Sequence, residues 1–325
     1  MEVSQLKQYV SRMEVLCGAE QLIAAEGKAA GCRLWRMYNG RYNLFVQADK
    51  CMDIARLDYR GMTVSFLSKN GMVSPRLCNT PGVYDFVNGF AGGFLFTCGL
   101  DNIGSPARRG DRDCVQHGSL SAIPAEHVNL SCGEEGGRWF TELSGQMRWT
   151  ALFGSHLTLT RKIRMFYDSD ELMICDQLCN EGFTPQEYVL MYHYNIGYPA
   201  LTEKAVYRID SASHAGFNPK SVAKEARNYE FEAPKPGNPE EVYCHTLRPG
   251  AGKKAEFEGE RIRIALSFDP EQLPYMTQWN SMASGDYSLG IEPATSSFLP
   301  EVKRSVLQPG ESKTFRMLFE MSLKD

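Results

Sequence analysis

Three side chains have the types that move protons near neutral pH. His117 occurs in Gln-His-Gly-Ser just after a charged loop, His193 in Tyr-His-Tyr-Asn, and Glu292 in Gly-Ile-Glu-Pro. Histidine and glutamate have reference pKa values of about 6.5 and about 4.3, which surroundings can shift toward working pH for acid–base chemistry. His127, His156, His214 and His245 sit in contexts indistinguishable from ordinary surface or strand positions. Any single histidine is more often structural than catalytic, so the inference rests on the set of three.

Rival chemistries lack their parts. No His-Glu-x-x-His spacing is present. Of ten cysteines, Cys175 and Cys179 are the closest pair, and no second pair with histidines accompanies them. Zinc is therefore not expected, and the cysteines read as reduced core thiols. The Gly-x-Ser-x-Gly elbow of a serine hydrolase is absent. Ala91-Gly-Gly-Phe94 runs into an apolar strand without the Lys and Ser/Thr of a phosphate loop. No metal or other cofactor is expected.

The elements that must position these residues read as β. After a possible helix over residues 2–15, with Leu6, Val10 and Met13 at helical spacing, short alternating stretches are separated by Gly, Pro, Asn and Asp. The segments Gly104–Cys114 and Ala233–Glu240 read as loops. In residues 157–167, Leu157, Leu159, Arg161, Ile163 and Met165 share a face; in 171–180, Leu172, Ile174, Asp176 and Leu178 do. A turn centred on Asp168 and Ser169 sets Arg161 opposite Asp176. A buried ion pair is the favoured reading of Arg161, with sugar contact as the alternative. In 187–195, Glu187, Val189, Met191, His193 and Asn195 face one way, while Tyr188, Leu190, Tyr192 and Tyr194 look like packed core. In 287–293, Ser288, Gly290 and Glu292 share a face. Gly290 leaves room beside the carboxylate, and Pro293 biases Glu292 toward extended backbone.

Composition bounds the partners. The chain has 325 residues, 43% of them hydrophobic, enough for a large core in one β domain spanning 1–325, with residues 1–20 as a helical extension. With 35 basic and 39 acidic residues the net charge is −4, and no basic stripe suits nucleic acid. No signal peptide and no run of about 18 apolar residues are seen, so a soluble, cytoplasmic protein that does not bind membranes is expected.

The order Cys98-Gly-Leu-Asp-Asn-Ile-Gly-Ser-Pro106, His117-Gly118, Tyr192-His-Tyr-Asn-Ile-Gly-Tyr-Pro199 and Gly290-Ile-Glu-Pro293 resembles the galactose mutarotase-like superfamily. More closely it is similar to an uncharacterised aldose 1-epimerase-like branch, which Cys51-Met-Asp-Ile54 and the run from Leu157 through Arg161 to Asp176 and Asn180 also resemble. The resemblance covers residues from about 40 to about 320. It implies an all-β β-supersandwich with a short N-terminal helix and a concave sugar site. It also implies a cofactor-free isomerase, with His193 as acid, His117 assisting and Glu292 as base. The Asn-Arg segment of galactose mutarotases is absent; Asp101-Asn102 stands in roughly that region.

On that reading a base deprotonates the anomeric hydroxyl while an acid protonates the ring oxygen. The ring opens, the C1–C2 bond turns, and closure gives the other anomer. Asp53, Asn102 and Asn195 are the expected hydroxyl-binding residues, with Tyr275 and Trp279 as an apolar platform for a monosaccharide. The alternatives are a carbohydrate-binding or sensing protein without turnover, or another sugar isomerase, lyase or glycosidase. A glycosidase would need a second acid facing Glu292, such as Asp53 or Glu187. Arg108, Arg109 and Arg112 could grip a phosphorylated sugar, but Asp111 and Asp113 interleave with them, which favours a solvated loop. Oligomeric state is left open.

Overall fold

Alternation of buried and exposed positions assigns the long strands to sheet faces. The computed structural model describes residues 2–77, 83–250 and 252–324. Residues 18–63 form a five-stranded antiparallel meander. An eight-stranded sheet runs in the order Glu126–Glu135, Arg138–Thr150, His156–Phe166, Glu171–Asn180, Ser312–Leu323, Ile262–Phe268, Lys253–Glu258, Val206–Ile209. A seven-stranded sheet runs Ser211–Gly216, Glu241–Leu247, Tyr275–Ala283, Asp286–Ala294, Gln186–Gly197, Ser305–Leu307, with Leu95–Leu100 also paired to Gln186–Gly197. The fold is all-β, as expected.

Gln186–Gly197 divides its side chains between two destinations. Leu190, Tyr192, Tyr194 and Ile196 enter the main apolar core. Val189 and Met191, on the other face, pack with Phe96, Cys98 and Ile103 in a smaller cluster that floors the site described below.

The N-terminal helix is shorter than its spacing suggests. It spans Val3–Leu6, and after an extended break at Arg12 only a 3-10 turn, Met13–Val15, remains. So short a segment cannot sustain helix on its own. Val3, Leu6 and Met13 bury themselves against Trp139 and Tyr167 without a continuous helix. Gly18 already begins a strand.

Arg161 sits directly opposite Asp176, and Ile163 opposite Ile174. Arg161 is fully buried, and all its N–H groups have acceptors. Nε and Nη2 donate to the two Asp176 carboxylate oxygens at 2.9 and 2.6 Å. Nη1 donates to the Cys51 carbonyl at 3.0 Å and to Asp53 at 3.1 Å, and Nη2 to Thr97 Oγ1 at 3.0 Å. One guanidinium thus ties the eight-stranded sheet to the meander and to Leu95–Leu100. Burial pushes the Asp53 carboxyl up to about 6 even against the pull of Arg161. Desolvation on this scale is why the cluster needs its full set of partners.

Candidate active site

A cleft of about 650 Å³ opens on the seven-stranded sheet. His193 and Glu292 line it from adjacent antiparallel strands. The register, with Met191 opposite Ala294 and Tyr194 opposite Ile291, brings His193 opposite Glu292. His193 Nε2 lies 3.2 Å from Glu292 Oε1. The two atoms are close without being aligned for a hydrogen bond, which leaves Glu292 Oε1 buried without a partner; His193 Nδ1, the other ring nitrogen, is also buried and unpartnered. Buried polar atoms are normally satisfied, and orphaned ones in a cleft are candidates for ligand contact.

Gly290 makes this approach possible. A Cβ there would lie 2.5 Å from Glu292 Oε1, 2.9 Å from Trp279 Cβ and 3.2 Å from His193 Cε1. Gly290→Ala is therefore expected to displace the carboxylate and to cost about 10²-fold or more in turnover, since misplacement by an ångström has effects of that size. Urea unfolding should show a change of only about 1–3 kcal/mol, the usual cost of overpacking. Full activity in this variant would mean that the carboxylate does not need its observed position.

His117 approaches from a loop, in left-handed backbone (φ 60°). Its own N–H donates to the Gly104 carbonyl at 2.8 Å, and the Gly104 N–H donates to its Nδ1 at 3.3 Å. The second bond makes Nδ1 an acceptor and leaves the proton of the neutral ring on Nε2. Gly118 permits the turn: at φ +76° a Cβ would lie 2.3 Å from the Gly99 carbonyl oxygen and 2.6 Å from that of Asn102. The His117 and His193 rings meet edge to face with centroids 5.6 Å apart. Phe86 packs 4.8 Å from His117, Phe90 5.7 Å and Trp279 5.5 Å from His193.

This apolar wall sets the electrostatics. Burial pulls His117 down to about 4. Burial, then the neighbouring His117, pulls His193 well below its usual value. Burial, then the Glu240 charge, pushes Glu292 well above the usual carboxylate range. These surroundings thus disfavour charge on both the carboxyl and the imidazole.

Elsewhere on the sheet, burial and the stacked His214 ring 5.3 Å away bring His245 to about 4. A folded value below the unfolded 6.5 means that the unfolded chain binds more protons between the two. Stability from His117 and His245 is therefore complete above about pH 6.5 and is lost as pH falls toward 4, by about 3 kcal/mol for each group. Glu292 has the opposite sign, with stability present below its unfolded value and lost as pH rises. Urea midpoints are expected to fall from pH 7 to pH 4, and His245→Gln should remove part of that slope. A variant slope equal to the wild type would refute the assignment.

Of the other expected site residues, Asn102 and Trp279 line the cleft, while Asp53, Asn195, Arg161 and Tyr275 do not. Asp53 and Arg161 are occupied in the buried cluster behind the wall. Asn195 is fully buried, and its Nδ2 donates to the His193 carbonyl at 3.1 Å, so it holds the strand locally. Tyr275 shares a face with Trp279 but stands four residues, about 13 Å, along the strand. Asn102 gives its Nδ2 protons to the carbonyls of Ser105 and Val115.

Glu240 was missed. It lines the cleft and accepts the Trp279 Nε1–H at 2.7 Å, which fixes the indole. It ends the Pro-rich excursion, held by Lys220 on Asn238 and the Pro239 carbonyl. No periodicity marks such a segment, so only its adjacency to a strand could have suggested it. Gly104–Cys114 also differs from a plain loop. Ala107–Arg109 and Arg112–Cys114 pair as a ribbon around Gly110-Asp111, a two-residue turn signal present in the sequence. Phe86, on the helix Val83–Gly89, and Phe90 complete the wall.

A second hollow of about 950 Å³ lies over the eight-stranded sheet and contains no histidine. Among the described residues, no group of three His, Cys, Asp or Glu is placed to hold a metal ion, and no helix is long and apolar enough to cross a membrane.

Solved structures share this fold. A Klebsiella pneumoniae protein provisionally described as an aldose 1-epimerase superposes with a TM-score of 0.88 at 21% identity, over 99% of this chain and 86% of that one. A galactose mutarotase-like protein from Clostridium acetobutylicum gives 0.67 at 14% identity, over 95% and 99%. A galactose 1-epimerase from Lactobacillus acidophilus gives 0.59 at 8% identity, over 95% and 100%. No curated protein matches the chain in sequence. At these identities the likeness establishes the galactose mutarotase-like fold. The family model of a domain of unknown function, DUF4432, matches residues 29–321, and the chain belongs to that family.

Proposed function

We propose that this protein is an aldose 1-epimerase that interconverts the anomers of a monosaccharide in the cleft. The observation that carries the proposal is the 3.2 Å approach of His193 Nε2 to Glu292 Oε1, two buried side chains with unpartnered polar atoms in the cleft. A sugar hydroxyl donating to Glu292 Oε1 stabilises the carboxylate, and the proton moves to His193. Glu292 then takes the anomeric proton while His193 protonates the ring oxygen. The open chain turns about C1–C2 and closes by the reverse transfers. His117 Nε2–H supplies a neutral donor to a sugar oxygen, and the indole of Trp279 covers an apolar face of the ring. This chemistry uses no metal, nucleotide or redox group.

The nine cysteines among the described residues are free thiols, which supports a cytoplasmic setting.

The test is NMR exchange between anomers across a panel of aldoses, with binding measured in parallel. Exchange well above the spontaneous rate on a bound sugar is expected. Saturable binding without exchange on any bound sugar would instead make this a carbohydrate-binding protein.

A further inference from the structure

The three arginines ahead of His117 separate into different roles. Arg108 faces outward toward Asp113 at 3.9 Å. Arg112 lies over the Trp149 ring, 5.7 Å from its centroid. Arg109 lines the cleft, and its Nε is buried without a hydrogen-bond partner. Among the described residues Arg109 has no ion-pair partner, whereas Lys69, another cation of the lining, is held by Asp286 at 2.7 Å.

Arg304 is a second cation near Arg109. Its Nε and Nη2 are buried without hydrogen-bond partners, and its nearest carboxylate, the largely exposed Glu187, stands 3.9 Å away. Burial, then the charge of Arg109, disfavours the Arg304 guanidinium. A guanidinium does not relieve such a position by losing its proton. Arg109, an under-paired fork in the cleft lining with a second under-paired fork, Arg304, behind it, forms an arrangement that a bound anion would complete.

We propose that the cleft selects sugars bearing an anionic group, a carboxylate or a phosphate ester, and that Arg109, supported by Arg304, is the anion subsite. This inference rests on reading the cleft as a sugar site. Glu292 and His193 would act at the anomeric centre while the anion anchors another part of the same molecule. The carboxylate and phosphate forms share the guanidinium chemistry, and the experiment separates them.

Glucose, glucuronate and glucose 6-phosphate are compared for binding by calorimetry and, separately, for anomer exchange by NMR, with inorganic phosphate as competitor. The proteins are wild type, Arg109→Gln, Arg109→Lys and Arg304→Gln. One anionic sugar, at least, is expected to bind about 10- to 100-fold tighter than glucose, the range of a lost charge-assisted hydrogen bond. Arg109→Gln should collapse that preference, Arg109→Lys should retain part of it, and inorganic phosphate should compete. If Arg109→Gln does not fold, the loss of preference in Arg304→Gln carries the same test. Tight binding of an anionic sugar with no exchange on any sugar would support the anion subsite and overturn the epimerase reading. Equal handling of all three sugars, with the ratio unchanged by the arginine variants, would overturn the anion subsite and leave the epimerase reading standing. Failure of both anionic sugars to bind overturns it as well.

Discussion

Glu292→Gln is expected to lower anomer exchange by about 10²–10⁴-fold, the usual contribution of a positioned acid or base. The side chain is isosteric, and burial, then the Glu240 charge, pushes the native carboxyl well above the usual carboxylate range. A neutral amide suits a site that disfavours the carboxylate charge, and urea stability should change by less than about 1 kcal/mol. Sugar affinity should change only a few-fold, because the amide still offers an oxygen to a hydroxyl. His193→Asn should cost a similar factor. On the proposed mechanism the two groups hand one proton across 3.2 Å, so the double variant should be little slower than either single one. Multiplicative losses would mean that the groups act independently, and an active Gln variant would remove Glu292 from the mechanism. The measurement is NMR exchange on a sugar that the wild type turns over.

Arg161→Met is expected to destabilise the protein by about 3–5 kcal/mol, because it strands buried carboxylates. Asp176 loses both of its guanidinium bonds, and Asp53 loses the charge that opposes its desolvation. Asp176→Asn is the milder variant, since it keeps an acceptor for one N–H while leaving the cation less compensated. The double variant Arg161→Met/Asp176→Leu should cost less than the sum of its parts, because an apolar pair of similar volume leaves fewer unpaired groups. Urea unfolding of Arg161→Met, Asp176→Leu and the double variant measures this coupling. A single-variant cost below about 1 kcal/mol would show that the cluster is not what joins the sheets.

The two predictions draw on different amounts of sequence information. The Arg161–Asp176 register was legible because both strands alternate and a short turn fixes their offset. The faces of Gln186–Gly197 and Asp286–Ala294 were legible for the same reason, down to Gly290 beside Glu292. Which strands become neighbours is a matter of long-range pairing, which alternation does not encode. The juxtaposition of His193 and Glu292, and the edge contact with His117, therefore had to come from the family resemblance. Asp53 looked like a sugar ligand because an acidic residue at a strand start carries no mark of its partner 108 residues away. Glu240, Phe86 and Arg109 lie in a Pro-rich excursion, a short helix and a two-residue hairpin, where no periodic pattern reports orientation.

The partners of Arg161 carry a consequence for assembly order. They lie 15, 64, 108 and 110 positions from it along the chain. Until the loops between them have closed, a guanidinium at this position keeps its water, because burying it early would cost several kcal/mol. Thr97, one of these partners, stands opposite Tyr192, the residue before His193. The buried cluster that joins the sheets thus lies one residue along the strand from the candidate acid–base pair. A change in this cluster is therefore expected to reach His193 through one residue of backbone, without touching the cleft lining itself.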